Sequence, residues 1–158
     1  MIASDLAWVS LRVVYAWMFL YPAIGLIKNW SGTVDTTALL FPWKPELFAL
    51  GSVAGMVIGG VMILLGVYGW MAGGYFFLFS LGGARIHYRL ASQASTARLS
   101  DAASDADRQT LSGLAGLASV GHVTSAQKNF VLAAVGLFFF LMGTGPLSMT
   151  SATPFFRG

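Results

Sequence analysis

The sequence predicts an all-α integral membrane protein, a four-helix bundle with both termini on the same side of the bilayer. Three observations lead there. Only 9% of the 158 residues are charged, against about a quarter in soluble domains. Hydrophobic residues make up 56% of the chain and the mean hydropathy is +0.72, more than one buried stripe per helix accommodates. The apolar residues also gather into four runs. Each is near the length a helix needs, about 20 residues at about 1.5 Å per residue, to cross a hydrocarbon core of about 30 Å. The whole chain, 1–158, reads as one membrane domain.

The first run covers residues 6–27. It begins after Asp5 rather than a basic region and continues into Lys28-Asn29-Trp30 without a small-residue cleavage site. That predicts a retained helix, not a removable signal. Arg12 lies inside it. A central arginine costs about 2.5–3.5 kcal/mol on insertion scales, so the guanidinium either snorkels to the headgroups or donates to another helix or a quinone. Pro22 lacks a backbone donor and kinks the helix, freeing the carbonyl of Met18. Lys28 ends the run, where a cation suits both the dipole and the interface.

Pro45-Glu46 opens the second run, 47–67, with proline at a first helical position and a carboxylate favoured by the dipole. Gly51, Gly55 and Gly59 recur every four residues and lay bare one helix face. Another helix can approach closely there, from this bundle or from another subunit. The third run, 70–86, follows Tyr68-Gly69-Trp70 and closes on Arg85-Ile86-His87-Tyr88-Arg89. Arg85 and Arg89 are expected as interfacial anchors, with His87 between them able to donate to a ligand carbonyl or an anionic headgroup.

Residues 90–127 switch to Ala, Ser, Thr and Asp and predict a polar extramembrane loop. Asp105 and Asp107 can cap a short helix within it, carrying Leu111, Leu114 and Leu117 as an apolar stripe against the membrane or a partner. The fourth run is 130–147. Trp30 and Trp70, like Trp8, Trp43, Tyr68 and Tyr88, fall near run ends, where amphipathic rings anchor at the headgroups.

Four spans leave the connections after the first and third runs on one side. That side carries Lys28, Lys44, Arg85, Arg89, Arg98, Arg108 and Lys128, while the terminal side has Arg12 and Arg157. The positive-inside bias places the two larger loops in the cytoplasm.

The chemistry is bounded by what is missing. There is no cysteine, which removes disulfides, thiol catalysis, iron–sulfur ligation and cysteine-based zinc sites. His87 and His122 are the two histidines, and the second lies in the polar segment, so a bis-histidine haem has little support. The second, third and fourth runs contain no Asp or Glu, which argues against a proton-relay pump. No paired carboxylates, Ser–His–Asp set, phosphate loop or metal-ligand spacing is found. The expectation is no catalytic residues, no metal and no intrinsic cofactor. The net charge of +3 gives no reason to invoke nucleic acid.

Several motifs together resemble a known family. Leu11-Arg12, Met18-Phe19-Leu20, Gly25 and Lys28 follow one another in the first span. Gly59-Gly60-Val61-Met62-Ile63-Leu64-Leu65-Gly66 through Gly83-Ala84-Arg85-Ile86-His87 form a glycine-punctuated hairpin ending at a histidine. Gly143-Thr144-Gly145-Pro146-Leu147-Ser148 closes the last run. In these residues the chain is similar to the DoxX-like small four-helix membrane proteins, over all four spans and none of the polar segment. It departs from them where a glutamate of the second span is replaced around Ala54 and Gly55, and where Met149-Thr150 lack the acidic residue after the terminal serine.

The resemblance implies a place in membrane redox systems, among them the membrane part of thiosulfate:quinone oxidoreductases, in a bacterial inner membrane. Two expectations follow. One is a non-catalytic accessory subunit that packs its glycine-bearing and apolar faces against a larger membrane redox or energy-converting complex. The other is a quinone-binding subunit, with Arg12, His87 and Ser148 as the polar end of an apolar slot. Quinone and lipid are the ligands these readings admit. The missing glutamate argues against proton-coupled quinone chemistry. Small-molecule carriage is weaker still, since no inverted repeat is evident.

Overall fold

The structure is a computed structural model and describes residues 2–98 and 103–150. Arg157, weighed above, lies outside the described residues. Among the described residues five helices follow in order: α1 (Ile2–Lys28), α2 (Trp30–Ala38), α3 (Pro45–Leu65), α4 (Gly69–Ser95) and α5 (Asp105–Met142). Among the described residues there is no strand, and α1, α3 and α5 are long and apolar enough to cross a membrane. The fourth long helix, α4, is as long as α1, but its glycines and the Arg85 and Arg89 side chains dilute its hydropathy.

Local chemistry sets the helix ends. Pro45 stands in the first turn of α3, and Glu46 adds its charge to the positive pole. Gly66 ends α3 in the left-handed region, at φ 68°. Its N–H bonds to the Ile63 carbonyl, and the Val67 N–H bonds to that of Met62 at 2.9 Å, as in a Schellman turn. Ser104 caps α5, accepting from the Asp107 N–H at 3.2 Å and donating to the Asp107 carboxylate at 2.7 Å.

The start of α1, the end of α3, the start of α4 and the end of α5 share one end of the molecule. Thr144 packs on Gly69, Trp8 on Gly145, and Arg12 reaches both Ile63 and Leu147. From there α4 and α5 run antiparallel in the most extensive pairing of the fold, Gly73 facing Gly136, Gly83 facing Asn129 and His87 facing His122. The core between α1, α3, α4 and α5 is aromatic. Phe19 stacks on Phe76 with centroids 3.8 Å apart, and Tyr15 meets Phe76 edge-on and Phe139 at 5.3 Å. The Tyr15 hydroxyl satisfies itself by donating to the Leu132 carbonyl at 2.7 Å.

Two expectations need correcting. The segment 90–127, expected as a polar loop with at most a short helix, is helical over 90–95, where α4 continues to Ser95, and over 105–127, where α5 begins at Asp105. Alanine, leucine and glutamine are strong helix formers whatever their polarity, the Ser104 cap starts the helix, and pairing of α4 with α5 continues past the last apolar residues. At about 1.5 Å per residue the 38 residues of α5 extend about 57 Å, far more than a bilayer requires. The last helix also stops five residues short of Leu147, where Gly143 adopts a positive φ of 72°. The first connection holds a helix of its own, α2. Its threonines bond back onto the backbone, Thr33 to the carbonyls of Leu26 and Asn29.

Candidate functional site

Arg12 is buried, 6% exposed, and does not snorkel. Nε donates to the Ile63 carbonyl at 3.1 Å, Nη2 to that of Leu64 at 2.6 Å and Nη1 to that of Leu147 at 3.1 Å. Two of these carbonyls belong to the last turn of α3, where Ile63 also accepts from the Gly66 N–H, and the third to the segment after α5. The guanidinium thereby ties three parts of the chain together. Beside it, the Ser148 hydroxyl lies within hydrogen-bond distance of Thr144 Oγ1, at 2.9 Å, and donates to the Gly145 carbonyl at 2.6 Å. Met149 N–H and Thr150 N–H bond to the carbonyls of Leu65 and Gly66.

His87 lies elsewhere. It is 18 residues along α4 from Gly69, about 27 Å at helical rise. The fold thus brings Arg12 and Ser148 to one end and His87 to the other, and no single polar site contains all three. Lys28, Arg85 and Arg89 are exposed at the His87 end, where Arg89 donates to the Leu39 carbonyl behind α2. Trp30 and Trp70 stand at opposite ends, Trp30 opening α2 and Trp70 near the start of α4 against Phe140.

The three glycines of α3 have different surroundings. A Cβ on Gly55 would overlap the Tyr75 ring, and one on Gly59 would come within 3.0 Å of Phe76, so both receive aromatic rings of α4 from within the same chain. A Cβ on Gly51 would meet nothing within 4 Å. It borders a cavity instead.

That cavity, of about 630 Å³, lies between the end of α2, the first two turns of α3 and the middle of α4. Its walls include Leu40, Phe41, Phe48, Leu78, Phe79 and Ile86, and Gly51 and Gly82 leave it its width. Three hydroxyl-bearing residues line it: Thr37, Ser52 and Tyr75. Tyr75 donates to the Ser52 carbonyl at 3.0 Å, which pins the ring beside the opening. Phe41 and Phe48 stack in parallel at 4.0 Å, and Trp43 meets Phe48 edge-on at 5.2 Å. Apart from the Tyr75 phenol, no lining residue carries an ionisable group. The composition, apolar and aromatic with a few placed hydroxyls, is that of a small-molecule pocket of ordinary size, about 300–1,000 Å³.

Sequence reasoning pointed to Gly51 but not to the cavity, because α2 and the bend back to α3 make one of its walls. It also missed the closest helix contact. A Cβ on Gly73 would lie 2.5 Å from the Phe140 nitrogen and 2.7 Å from the Gly136 oxygen, and one on Gly136 would lie 2.7 Å from the Phe77 nitrogen. The signal was a glycine in each of two runs, which spacing within one run does not reveal.

Compared with known proteins, residues 7–89 match the family described as DoxX. No curated protein and no solved structure matches the chain.

Proposed function

From the premise that this chain belongs to the DoxX family, whose match covers more than half of its 158 residues, we propose that it is an accessory integral membrane subunit that holds a quinone for a membrane redox system. The observation that carries the reading is the cavity bounded by Gly51, Ser52, Tyr75 and Phe79. It offers flat aromatic walls to a ring, length for an apolar tail, and the Ser52 hydroxyl to a carbonyl, while the hydroxyls of Thr37 and Tyr75 donate to backbone carbonyls. Since no carboxylate, imidazole or amine lines it, the subunit binds and orients, and a partner supplies electrons and protons. Arg12 is committed to backbone carbonyls and lies with α3's far end, about 16 Å along that helix from Ser52.

In this reading α4 is the fourth span, covered by α5, so the chain crosses the membrane four times with both termini on one side. Lys28, Lys44, Arg85, Arg89, Arg98, Arg108 and Lys128 belong to the end remote from Arg12. That asymmetry supports a cytoplasmic position for the α2 and α4–α5 connections in a bacterial inner membrane.

The test uses the space at Gly51, where an added Cβ meets no atom within 4 Å. Gly51→Phe should fill the cavity without disturbing helix packing. With an azido-quinone in nanodiscs, the wild-type chain should be labelled on peptides from α3 and α4 that line the cavity. The variant should lose at least about tenfold in labelling, the scale of a pocket-filling change of about 1.4 kcal/mol, at an unaltered melting temperature. Equal labelling of both, or labelling elsewhere in the chain, would refute the assignment. Gly55→Leu cannot serve here, because it displaces Tyr75 from within.

A further inference from the structure

The chain has two histidines, 35 residues apart, and the pairing of α4 with α5 brings them face to face. Their Nδ1 atoms are 3.2 Å apart, with ring centroids at 5.5 Å. Neither ring belongs to the quinone cavity. We infer that His87 and His122 form a proton-sensitive latch between α4 and α5, closed when at most one ring is protonated and opened when both are.

The chemistry follows from the two nitrogens of imidazole. With both rings neutral, one Nδ1–H donates to the lone pair of the other Nδ1. A first proton can enter at Nε2 of the donor ring, which keeps the bond and strengthens it by charge. A second proton has to occupy the accepting Nδ1. Two N–H groups then point at each other across 3.2 Å, and two positive rings repel.

The surroundings make that second proton hard to accommodate while the helices are paired. His87 is one residue beyond the third apolar run, and burial first, then His122 and Lys128, hold its imidazole below the ordinary range. On α4 the exposed Arg85 and Arg89 flank it in sequence, and α5 presents His122 and Lys128. No carboxylate is among the groups acting on His87. The paired state therefore binds protons less readily than the separated one, so stability of the pairing is complete above the usual histidine value of about 6.5 and falls as the pH drops below it.

The far end of the same helix pair is held by the backbone contact of Gly73 with Gly136. Release at the histidines therefore pivots about that contact, 14 residues and about 21 Å away. Gly82, Gly83 and Ile86, which wall the quinone cavity, lie on the segment that swings. The latch stands independently of what fills the cavity.

The absence of native cysteine makes the test direct. Spin labels at Gln93→Cys and Ala118→Cys, both exposed on the paired helices, report their separation by electron paramagnetic resonance in nanodiscs. The distance should lengthen between pH 8 and pH 5, and the step should vanish in His87→Gln and in His122→Gln backgrounds. A distance independent of pH in the parent, or a step that survives in both variants, would overturn the latch. If a chelator changes the distance at pH 8, a metal ion joins the two rings and the proton mechanism is wrong.

Discussion

Gly73→Ala and Gly136→Ala should each destabilise the protein by about 3 kcal/mol, at the upper end of what overpacking costs. The added methyl group is small, but it meets backbone: Phe140 N and Gly136 O for the first substitution, Phe77 N and Gly73 O for the second. A flexible side chain could turn aside, whereas two helix backbones can only move apart. Separation there disturbs Phe76 and Phe139, both fully buried in the aromatic core. Thermal unfolding in detergent, followed by circular dichroism, measures the effect. The control is Gly25→Ala or Gly113→Ala, where an added Cβ meets nothing within 4 Å. Those substitutions should leave the stability unchanged or raise it by up to about 1 kcal/mol, the propensity gain of alanine over glycine in a helix.

Arg12→Leu should cost about 4 kcal/mol. The carbonyls of Leu64 and Leu147 lose the guanidinium donor and that of Ile63 keeps only the Gly66 N–H, and each bond from a charged group contributes about 1.5–3 kcal/mol. The loss is below the simple sum because the freed carbonyl of Leu147 can turn towards water at the molecule's end. Arg12→Lys should recover only part of it, since an ammonium cannot match a planar fork aimed at three separate oxygens. Quinone labelling per folded molecule should be unchanged in either variant, because the cavity is at the other end. A loss of labelling with full stability would instead make Arg12 a ligand residue.

How much of this was legible in the sequence depends on the range of the interaction involved. Apolar length identified α1 and α3 to within a few residues, and the Pro45-Glu46 start and Gly66 stop are local signals that acted locally. The family was legible too, from motifs in α1, α3 and α4, which lie within the matched residues 7–89. Arg12 could be seen as an anomaly, but not its acceptors, which come from residues 51 to 135 positions away. Polarity misled for residues 90–127, where helix propensity and pairing with a neighbour outweighed it. The Gly73–Gly136 contact, the histidine pair and the cavity all arise from the register of one helix against another, which no pattern within a single helix fixes.

The guanidinium clasp also bears on how the polypeptide is made. Arg12 leaves the ribosome 135 residues ahead of Leu147, one of its acceptors. A chain inserted in order of synthesis must therefore carry a partly unsatisfied cation through the membrane machinery until α5 and the segment after it arrive. Closure of the clasp waits for Leu147, and chains interrupted before it would present quality-control proteases with an arginine short of a partner.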